Sequence, residues 1–244
     1  MKNIKYILML TALLLSLSAG ASRPAVVVRY DFKHVRGQVV PDKGPFHLDG
    51  TMQGSAQAVP EGASYAVDLG NDGGYIDMGA ALGDRLKQLE KWSVAVKYRV
   101  DPSASLQGNG YFLWAFSVLE LNTADKGRYH AYKLNYQRSE TTASGWSHET
   151  TLEIGRASEK GVWQYAVYTQ DGTKGRLYLN GQEVASNDRM LTMEEAFAGE
   201  SPVCNWIGRA PFRGDAYLGG TKIGAVAIYA DALTVPQIKK LLKK

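Results

Sequence analysis

Cysteine is nearly absent from this sequence of 244 residues, which contains only Cys204. A single cysteine excludes an intramolecular disulfide, so the fold has to be held together by its hydrophobic core. A chain of this length buries enough apolar surface to be stable without such a bridge. Cys204 itself lies in the apolar stretch PVCNWIG, and we expect a buried, inert thiol rather than a reactive or intermolecular one.

Long apolar runs are also missing, except near the N-terminus. Lys2 and Lys5 form a short basic region, residues 7–17 are mostly apolar, and residues 19–21 read Ala-Gly-Ala. This order is typical of a secretory signal peptide, and the apolar run is too short for a stable membrane span. We therefore expect residues 1–21 to be removed on export to the periplasm, the cell surface or the medium, which leaves no membrane span in the mature protein.

A large excess of charge of one sign is lacking as well. The sequence has 28 basic and 24 acidic residues, and Lys2 and Lys5 of the expected signal peptide account for half of the formal charge of +4. The mature surface is therefore nearly balanced, which argues against nucleic acid or an anionic membrane as a partner. The C-terminal KKLLKK is a local run whose cations suit the end of a helix.

Short strand-like segments between turn signals make up most of the chain after residue 21. In the segment WSVAVKYRV (92–100), large apolar residues alternate with smaller or charged ones, which is typical of a strand with one solvent-exposed face. GYFLWAFSVLELN (110–122) is apolar on both faces, which indicates a strand in mid-sheet that is covered on both sides. Asn180-Gly181 stands between alternating apolar residues, which is the pattern of a two-residue type I′ hairpin turn.

Helical periodicity is scarce and is confined to three segments. Residues 82–91 carry leucines at helical spacing, whereas residues 192–199 and 233–244 each begin with a capping box, Thr192 with Glu195 and Thr234 with Gln237. Many short strands at regular spacing indicate two packed antiparallel sheets. The sequence therefore predicts one all-β domain over residues 22–244, a two-sheet antiparallel β-sandwich or jelly roll with short connecting helices and a short C-terminal helix.

Four segments in the same order resemble those of a known family. GVWQYAVYTQDGTKGRLYLNGQEVAS (161–186) is similar to the hairpin hallmark of LamG-like jelly-roll domains of the concanavalin A-like lectin/glucanase superfamily. Residues 30–50, 92–100 and 205–241 resemble the opening loop, an inner strand and the closing segment of that family. The resemblance implies a sandwich of two sheets, usually of six or seven strands each, and often carbohydrate binding. It does not fix a function, because function depends on sites rather than folds.

Signatures of catalysis are missing from the predicted strands. Some members of this superfamily hydrolyse polysaccharides with closely spaced acids on one strand, and a retaining glycosidase needs two carboxyl groups about 5–5.5 Å apart. The nearest pair here, Glu149 and Glu153, lies roughly 13 Å apart along a strand, and we interpret it as a solvated strand face. The sequence also lacks a Gly-x-Ser-x-Gly elbow and metal-like histidine spacing. Acids from different strands meeting in space remain an open alternative.

Aromatic residues are plentiful, with 14 tyrosines and 5 tryptophans. Sugars present apolar CH faces and many hydroxyl groups, so their sites combine an aromatic plane with a few polar groups. Trp146 lies in the polar stretch RSETTASGWSHE (138–149), which predicts a loop and a stacking platform, the alternative being a ring packed on its own loop. The other tryptophans and one further ring occupy apolar strands and are expected in the core: Trp92, Tyr98, Trp114, Trp163 and Trp206.

The stretch GRAPFRGDAYLGG (208–220) is a second candidate for sugar binding. In it, Arg209 and Arg213 are potential bidentate donors, Asp215 is a potential acceptor and Tyr217 is a potential stacking ring. The alternative interpretation is that this loop has only a structural role and holds the β-sandwich closed.

A calcium ion is the only cofactor that the resemblance suggests. LamG-like domains often hold calcium near the first loop and the closing strand, and Asp42 matches the first-loop acid, with Asp49 nearby. Gly224 replaces the aspartate expected in the closing strand. Calcium prefers six to eight oxygen ligands with several carboxylates, so we expect a weak site or none.

These observations favour an exported, non-catalytic, lectin-like protein whose partner is a glycan or polysaccharide. The missing acid cluster favours a binding protein over an enzyme. Two alternatives stay open: a glycoside hydrolase or polysaccharide lyase with a dispersed acid site, and a structural or protein-interaction subunit of a surface complex, which would have a protein partner.

Overall fold

The computed structural model describes residues 23–122 and 127–243, so the expected signal peptide lies outside the described residues. Over these residues the chain forms sixteen strands. They are β1 (Val26–Tyr30), β2 (Val39–Val40), β3 (Gly50–Gln53), β4 (Gln57–Glu61), β5 (Ser64–Asp68), β6 (Tyr75–Asp77), β7 (Lys91–Val100), β8 (Phe112–Ser117), β9 (Tyr129–Lys133), β10 (Arg138–Thr142), β11 (Thr150–Glu153), β12 (Gln164–Asp171), β13 (Lys174–Leu179), β14 (Gln182–Asn187), β15 (Cys204–Ile207) and β16 (Thr221–Tyr229).

The strands form two antiparallel sheets, which confirms the predicted β-sandwich. The order in the back sheet is β14-β13-β12-β7-β16-β5-β4, with β1 paired to the far end of β16. The order in the front sheet is β11-β10-β9-β8-β15-β6-β3-β2. In the back sheet β7 pairs through residues 91–98 with the whole of β12, and it pairs with β16 on its other side. Residues 92–100 therefore form a strand, as predicted, but the face expected to be exposed to solvent is only partly so, because the C-terminal segment covers Ser93 and Ala95.

Aromatic side chains fill the space between the sheets. Trp114 stacks on Tyr132 at 4.5 Å between ring centroids, and Trp92 meets Tyr168 at 5.1 Å. Fully burying a side chain of this size contributes about 1.5–3 kcal/mol or more. His130 lies against Trp92 at 4.7 Å, and burial lowers its pKa to about 3, so this imidazole is a neutral core group at physiological pH.

In the described part of the chain, three short α-helices connect or close the strands: α1 (Ala81–Leu86), α2 (Met193–Phe197) and α3 (Val235–Leu241). Both predicted capping boxes are present, at Thr192 with Glu195 and at Thr234 with Gln237. The described helices are all too short and polar to cross a lipid bilayer.

The predicted hairpin turn is also confirmed. Asn180 and Gly181 both have positive φ, at 49° and 81°, and they join β13 to β14. The Asn180 side-chain oxygen accepts a hydrogen bond from the backbone N–H of Tyr165 at 2.9 Å. The turn is therefore tied to β12 as well as to its own hairpin.

The outer faces of the two sheets are covered differently. On the back sheet, α3 places Ile238 against Ala95, Val167 and Tyr229. On the front sheet, the cover loop, which we define as residues 208–220, places Ala210 and Phe212 against a second apolar cluster. That cluster contains Phe112, Ala115, Leu121, Tyr129 and Ala131.

The cover loop is fixed by backbone hydrogen bonds. The N–H of Tyr111 donates to the carbonyl of Ala216 at 3.0 Å, and the N–H of Arg213 donates to the carbonyl of Leu121 at 2.7 Å. β8 is therefore buried at every position, as the doubly apolar pattern of residues 110–122 predicted. The prediction was wrong for the end of that segment, where Leu119 lies outside the strand and is exposed.

The expectations for the stretch 138–149 and for Trp163 were also wrong. The first half of the stretch 138–149 is not a loop, because Arg138–Thr142 forms β10 between β9 and β11. Trp163 is not a core residue: its ring is only partly buried and lies beside the cations of Lys97 and Arg99, at 5.5 and 5.0 Å from the ring centroid. Of the five rings expected in the core, the other four are buried, although Trp206 is on the outer face of the front sheet beside Ala115.

Candidate functional site

A pocket of about 370 Å³ opens on the outer face of the front sheet, between β9, β10 and the cover loop. It combines aromatic rings with charged and amide side chains. Its lining consists of Asn109, Gly110, Phe112, Lys133, Asn135, Tyr136, Arg138, Glu140, Trp146, Glu149, Phe212 and Asp215.

The β9–β10 hairpin supplies the charged floor of the pocket. Lys133 and Arg138 are cross-strand partners, and Glu140 follows two residues later on the same face. Glu140 is completely buried, and its Oε2 accepts from Lys133 Nζ at 2.8 Å and from Arg138 Nε at 2.9 Å. Its other oxygen, Oε1, is buried without a hydrogen-bond partner among the described residues.

A second carboxylate meets the same guanidinium. Arg138 also donates to Glu149, which accepts a further hydrogen bond from the hydroxyl of Tyr129. Glu149 directly precedes β11 and its side chain is 8% exposed. The interpretation of Glu149 as part of a solvated strand face was therefore wrong, because an arginine from the neighbouring strand and a tyrosine enclose it.

Burial sets the electrostatics of this floor. It raises the pKa of Glu140, with the Glu149 carboxylate acting in the same direction and the cations of Lys133 and Arg138 opposing it. Burial works against the charge of Arg138, yet the two carboxylates raise its pKa overall. The arginine consequently stays charged and holds the two acids in place.

Trp146 stands at the rim of the pocket and is 59% exposed. Gly145, which precedes it, has a φ of 99° and donates its N–H to the carbonyl of Gly127 at 2.9 Å. Trp146 then begins a single turn of 3₁₀-helix that ends at His148. A glycine at positive φ thus redirects the chain after β10 and places the indole beside the pocket.

The cover loop divides the other predicted site residues into two groups. Asp215 lines the same pocket as Trp146, and burial raises its pKa while Lys133 opposes the shift. Arg209 and Tyr217 instead lie in an aromatic cluster on the outer face of β6 and β15.

In that cluster the Arg209 guanidinium carbon lies 4.0 Å from the Trp206 ring centroid, 4.9 Å from Tyr75 and 5.4 Å from Tyr217. Arg209 and Arg213 both pair with Glu120. The rings and Glu120 therefore occupy much of the hydrogen-bonding and stacking capacity of Arg209, whereas Arg213 remains largely exposed.

Sequence reasoning missed the floor of the pocket and part of its wall. The missed side chains are Phe112, Lys133, Asn135, Tyr136, Arg138, Glu140, Glu149 and Phe212. One signal was available, because the alternation of Arg138 and Glu140 with serine and threonine fits a strand that presents charges on one face.

The two calcium candidates make hydrogen bonds within the first loop. Asp42 is buried, and its carboxylate accepts from the backbone N–H groups of Arg29, Gly44 and Leu48 at 2.7–2.9 Å. Asp49 in turn accepts from the N–H of Asp42 at 2.8 Å. The Asp42 oxygens therefore already stabilise the turn of the loop.

Cys204 lies at the start of β15 and is buried, as predicted. Burial raises the pKa of its thiol to about 11, so the thiolate needed for nucleophilic chemistry is scarce at neutral pH.

The sequence from residue 72 to residue 239 matches a laminin G family model described as "Concanavalin A-like lectin/glucanases superfamily". The chain belongs to this superfamily. The match covers the hairpin, the cover loop and the pocket, and it confirms the family that the sequence motifs resemble. No curated protein matches the sequence significantly.

Solved structures share the fold of this lectin/glucanase-superfamily protein at low sequence identity. One is domain 4 of AbnA, an extracellular GH43 arabinanase from Geobacillus stearothermophilus that was solved with arabinotriose. It has a TM-score of 0.68 at 16% identity, and the alignment covers 90% of this chain and 98% of that domain.

Two larger proteins match over part of their length. The Trypanosoma rangeli sialidase in complex with sialic acid has a TM-score of 0.61 at 16% identity and covers 89% of this chain and 32% of its own. The binding domain of botulinum neurotoxin serotype D/C has a TM-score of 0.62 at 13% identity and covers 90% of this chain and 52% of its own. This superfamily member thus spans about a third to a half of those chains.

Proposed function

We propose that this protein is an exported, non-catalytic glycan-binding protein that binds its ligand in the pocket of the front sheet. The observation that carries the proposal is the exposed indole of Trp146 at the rim of a pocket whose walls offer hydrogen-bonding side chains. A sugar ring stacks its CH face on such an indole while its hydroxyl groups reach polar neighbours.

The size and lining of the pocket suit a short stretch of a glycan chain. Its volume of about 370 Å³ is near the lower end of the range for small-molecule sites. Asn135 can donate and accept hydrogen bonds, Asp215 can accept them, and the rings of Tyr136 and Phe112 add apolar surface. A shallow site of this kind is expected to bind in the micromolar to millimolar range, about 4–8 kcal/mol.

The arrangement of the acids supports binding rather than hydrolysis. Glu140 and Glu149 come together from different chain segments, which was the open alternative for a catalytic pair. Both are held by Arg138, and Lys133 holds Glu140 as well. A retaining glycosidase needs one carboxylate free to attack the sugar and one carboxyl free to donate a proton. Neither condition is met while Arg138 bridges the two acids.

Two proteins of similar fold add support, since the arabinanase domain was solved with arabinotriose and the sialidase with sialic acid. The export part of the proposal rests on the N-terminal sequence. N-terminal sequencing of the secreted protein is expected to start at Ser22 or within two residues of it. Recovery of intact Met1 from the membrane fraction would overturn export with cleavage.

An oligosaccharide array that includes mucin and plant polysaccharides tests the proposal, with release of reducing ends measured on the same samples. We expect binding without sugar release. Trp146→Ala should abolish or strongly weaken the signal without changing the thermal melt. Tyr65→Ala is the matched control, because Tyr65 is an exposed ring of similar kind (44%) on the back sheet. Release of sugar would favour an enzyme. No binding to any glycan on the array, together with a co-purifying protein, would favour a protein-interaction subunit.

A further inference from the structure

The charges that line the pocket bear on the class of glycan it accepts. Basic and acidic side chains both line it: two cations, Lys133 and Arg138, and three carboxyl groups, Glu140, Glu149 and Asp215. Both cations already have carboxylate partners within the pocket. The remaining acid, Asp215, is near enough to Lys133 for the cation to influence its ionisation.

We propose that the pocket selects uncharged glycans and excludes acidic ones such as uronate or sialate chains, with Glu140 and Asp215 as the specificity-determining residues. This inference rests on the proposed glycan-binding function and names the substrate class of the same site.

The first reason is the balance of charge. An acidic sugar is bound well where a free arginine or lysine can pair with its carboxylate. Among the described residues that line the pocket, each cation is occupied by Glu140 or Glu149. Bringing in another carboxylate either breaks one of these buried pairs or places like charges side by side, and both are unfavourable.

The second reason is the hydrogen-bonding character of Glu140. Its Oε1 is a buried acceptor without a donor among the described residues. A hydroxyl group that reaches this buried oxygen through a bridging water is matched by an acceptor, whereas a carboxylate can only accept. The floor of the pocket therefore complements the hydroxyl groups of a neutral sugar and not the carboxylate of an acidic one.

Matched pairs of oligosaccharides test this selectivity. Lactose is compared with 3′-sialyllactose and galactotriose with trigalacturonate, alongside neutral arabinotriose and cellotriose. We expect measurable binding among the neutral sugars and at least about tenfold weaker binding of the acidic members, as close like charges in a partly buried site imply.

Asp215→Asn and Glu140→Gln remove one negative charge each with little change of shape. Each should raise the ratio of acidic to neutral binding severalfold. Asp171→Asn is the control, because Asp171 is an exposed acid on the back sheet that pairs with Lys91, and it should leave the ratio unchanged. Because Glu140 is buried, its variant can fail to fold. Asp215 is only half-buried, so the Asp215→Asn variant gives an independent measurement of the ratio.

The outcomes separate the two proposals. If wild-type protein binds acidic sugars as tightly as neutral ones, or if Asp215→Asn leaves the ratio where it was in the wild type, the selectivity is wrong while glycan binding stands. If no sugar binds at all, the proposed function itself fails and the selectivity falls with it.

Discussion

The turn at Asn180-Gly181 allows a prediction whose size follows from the backbone. Gly181 has a φ of +81°, a conformation that L-residues rarely adopt. A Cβ placed there would lie 2.9 Å from Cδ1 of Leu242, which belongs to the C-terminal segment after α3. Gly181→Val therefore adds backbone strain and a contact with the segment that covers the outer face of the back sheet.

A β-branched residue held at positive φ costs about 1–3 kcal/mol. The contact adds little, because Leu242 is partly exposed and Cδ1 is the end of a flexible side chain. For a domain of this size each kcal/mol lowers the melting temperature by roughly 2–4 °C. We therefore expect the melting temperature of Gly181→Val to fall by about 2–12 °C.

Thermal unfolding followed by circular dichroism measures this shift. Gly172→Val is the matched control, because Gly172 turns the preceding hairpin at a φ of +57° and its Cβ would meet nothing within 4 Å. The two variants should lose similar stability, and any extra loss at Gly181 reports the contact with Leu242. An unchanged melt for Gly181→Val would refute the type I′ geometry of this turn.

Two further predictions concern the first loop and the aromatic cluster. A chelator should leave the melting temperature of the protein unchanged, because the Asp42 carboxylate is satisfied by backbone N–H groups; a strong fall would show that calcium holds this loop. Tyr217→Ala should weaken glycan binding less than Trp146→Ala does, because Tyr217 packs on Tyr75 and Arg209 outside the pocket, and an equal loss measured on the same array would place the ligand on that cluster as well.

The hairpins and capped helices were predictable because their signals are local. Asn180-Gly181 needs only two residues to specify a turn, and the capping box of Thr234 and Gln237 spans a single helical turn. The alternating pattern of residues 92–100 likewise predicted a strand, because one face had to be buried. In these elements the local conformational preference of the residues and their packing in the fold favour the same structure.

The strand β10 was missed for a physical reason. Its residues, Arg138 to Thr142, are polar, and pattern analysis assigns polar residues to loops or wet faces. In the structure four of the five are buried, and the charge of Glu140 is compensated by Lys133 and Arg138. Buried ion pairs of this kind leave no apolar periodicity in the sequence.

The candidate site was only half predictable. Trp146 and Asp215 could be singled out as unusual residues in polar stretches, and the structure brings both to one pocket. The acids Glu140 and Glu149 meet only because β10 and the segment before β11 lie side by side. Phe212 reaches the pocket because the cover loop folds back over β8. Such contacts depend on the arrangement of the sheets and not on sequence spacing.

The most direct test of the account is binding of the wild-type protein and its Trp146→Ala and Tyr65→Ala variants to the oligosaccharide array, with reducing ends measured in parallel. The account predicts binding of uncharged glycans by the wild type and by Tyr65→Ala, loss of that binding in Trp146→Ala, and no release of reducing ends. Undiminished binding by Trp146→Ala, or release of sugar by the wild type, would contradict it.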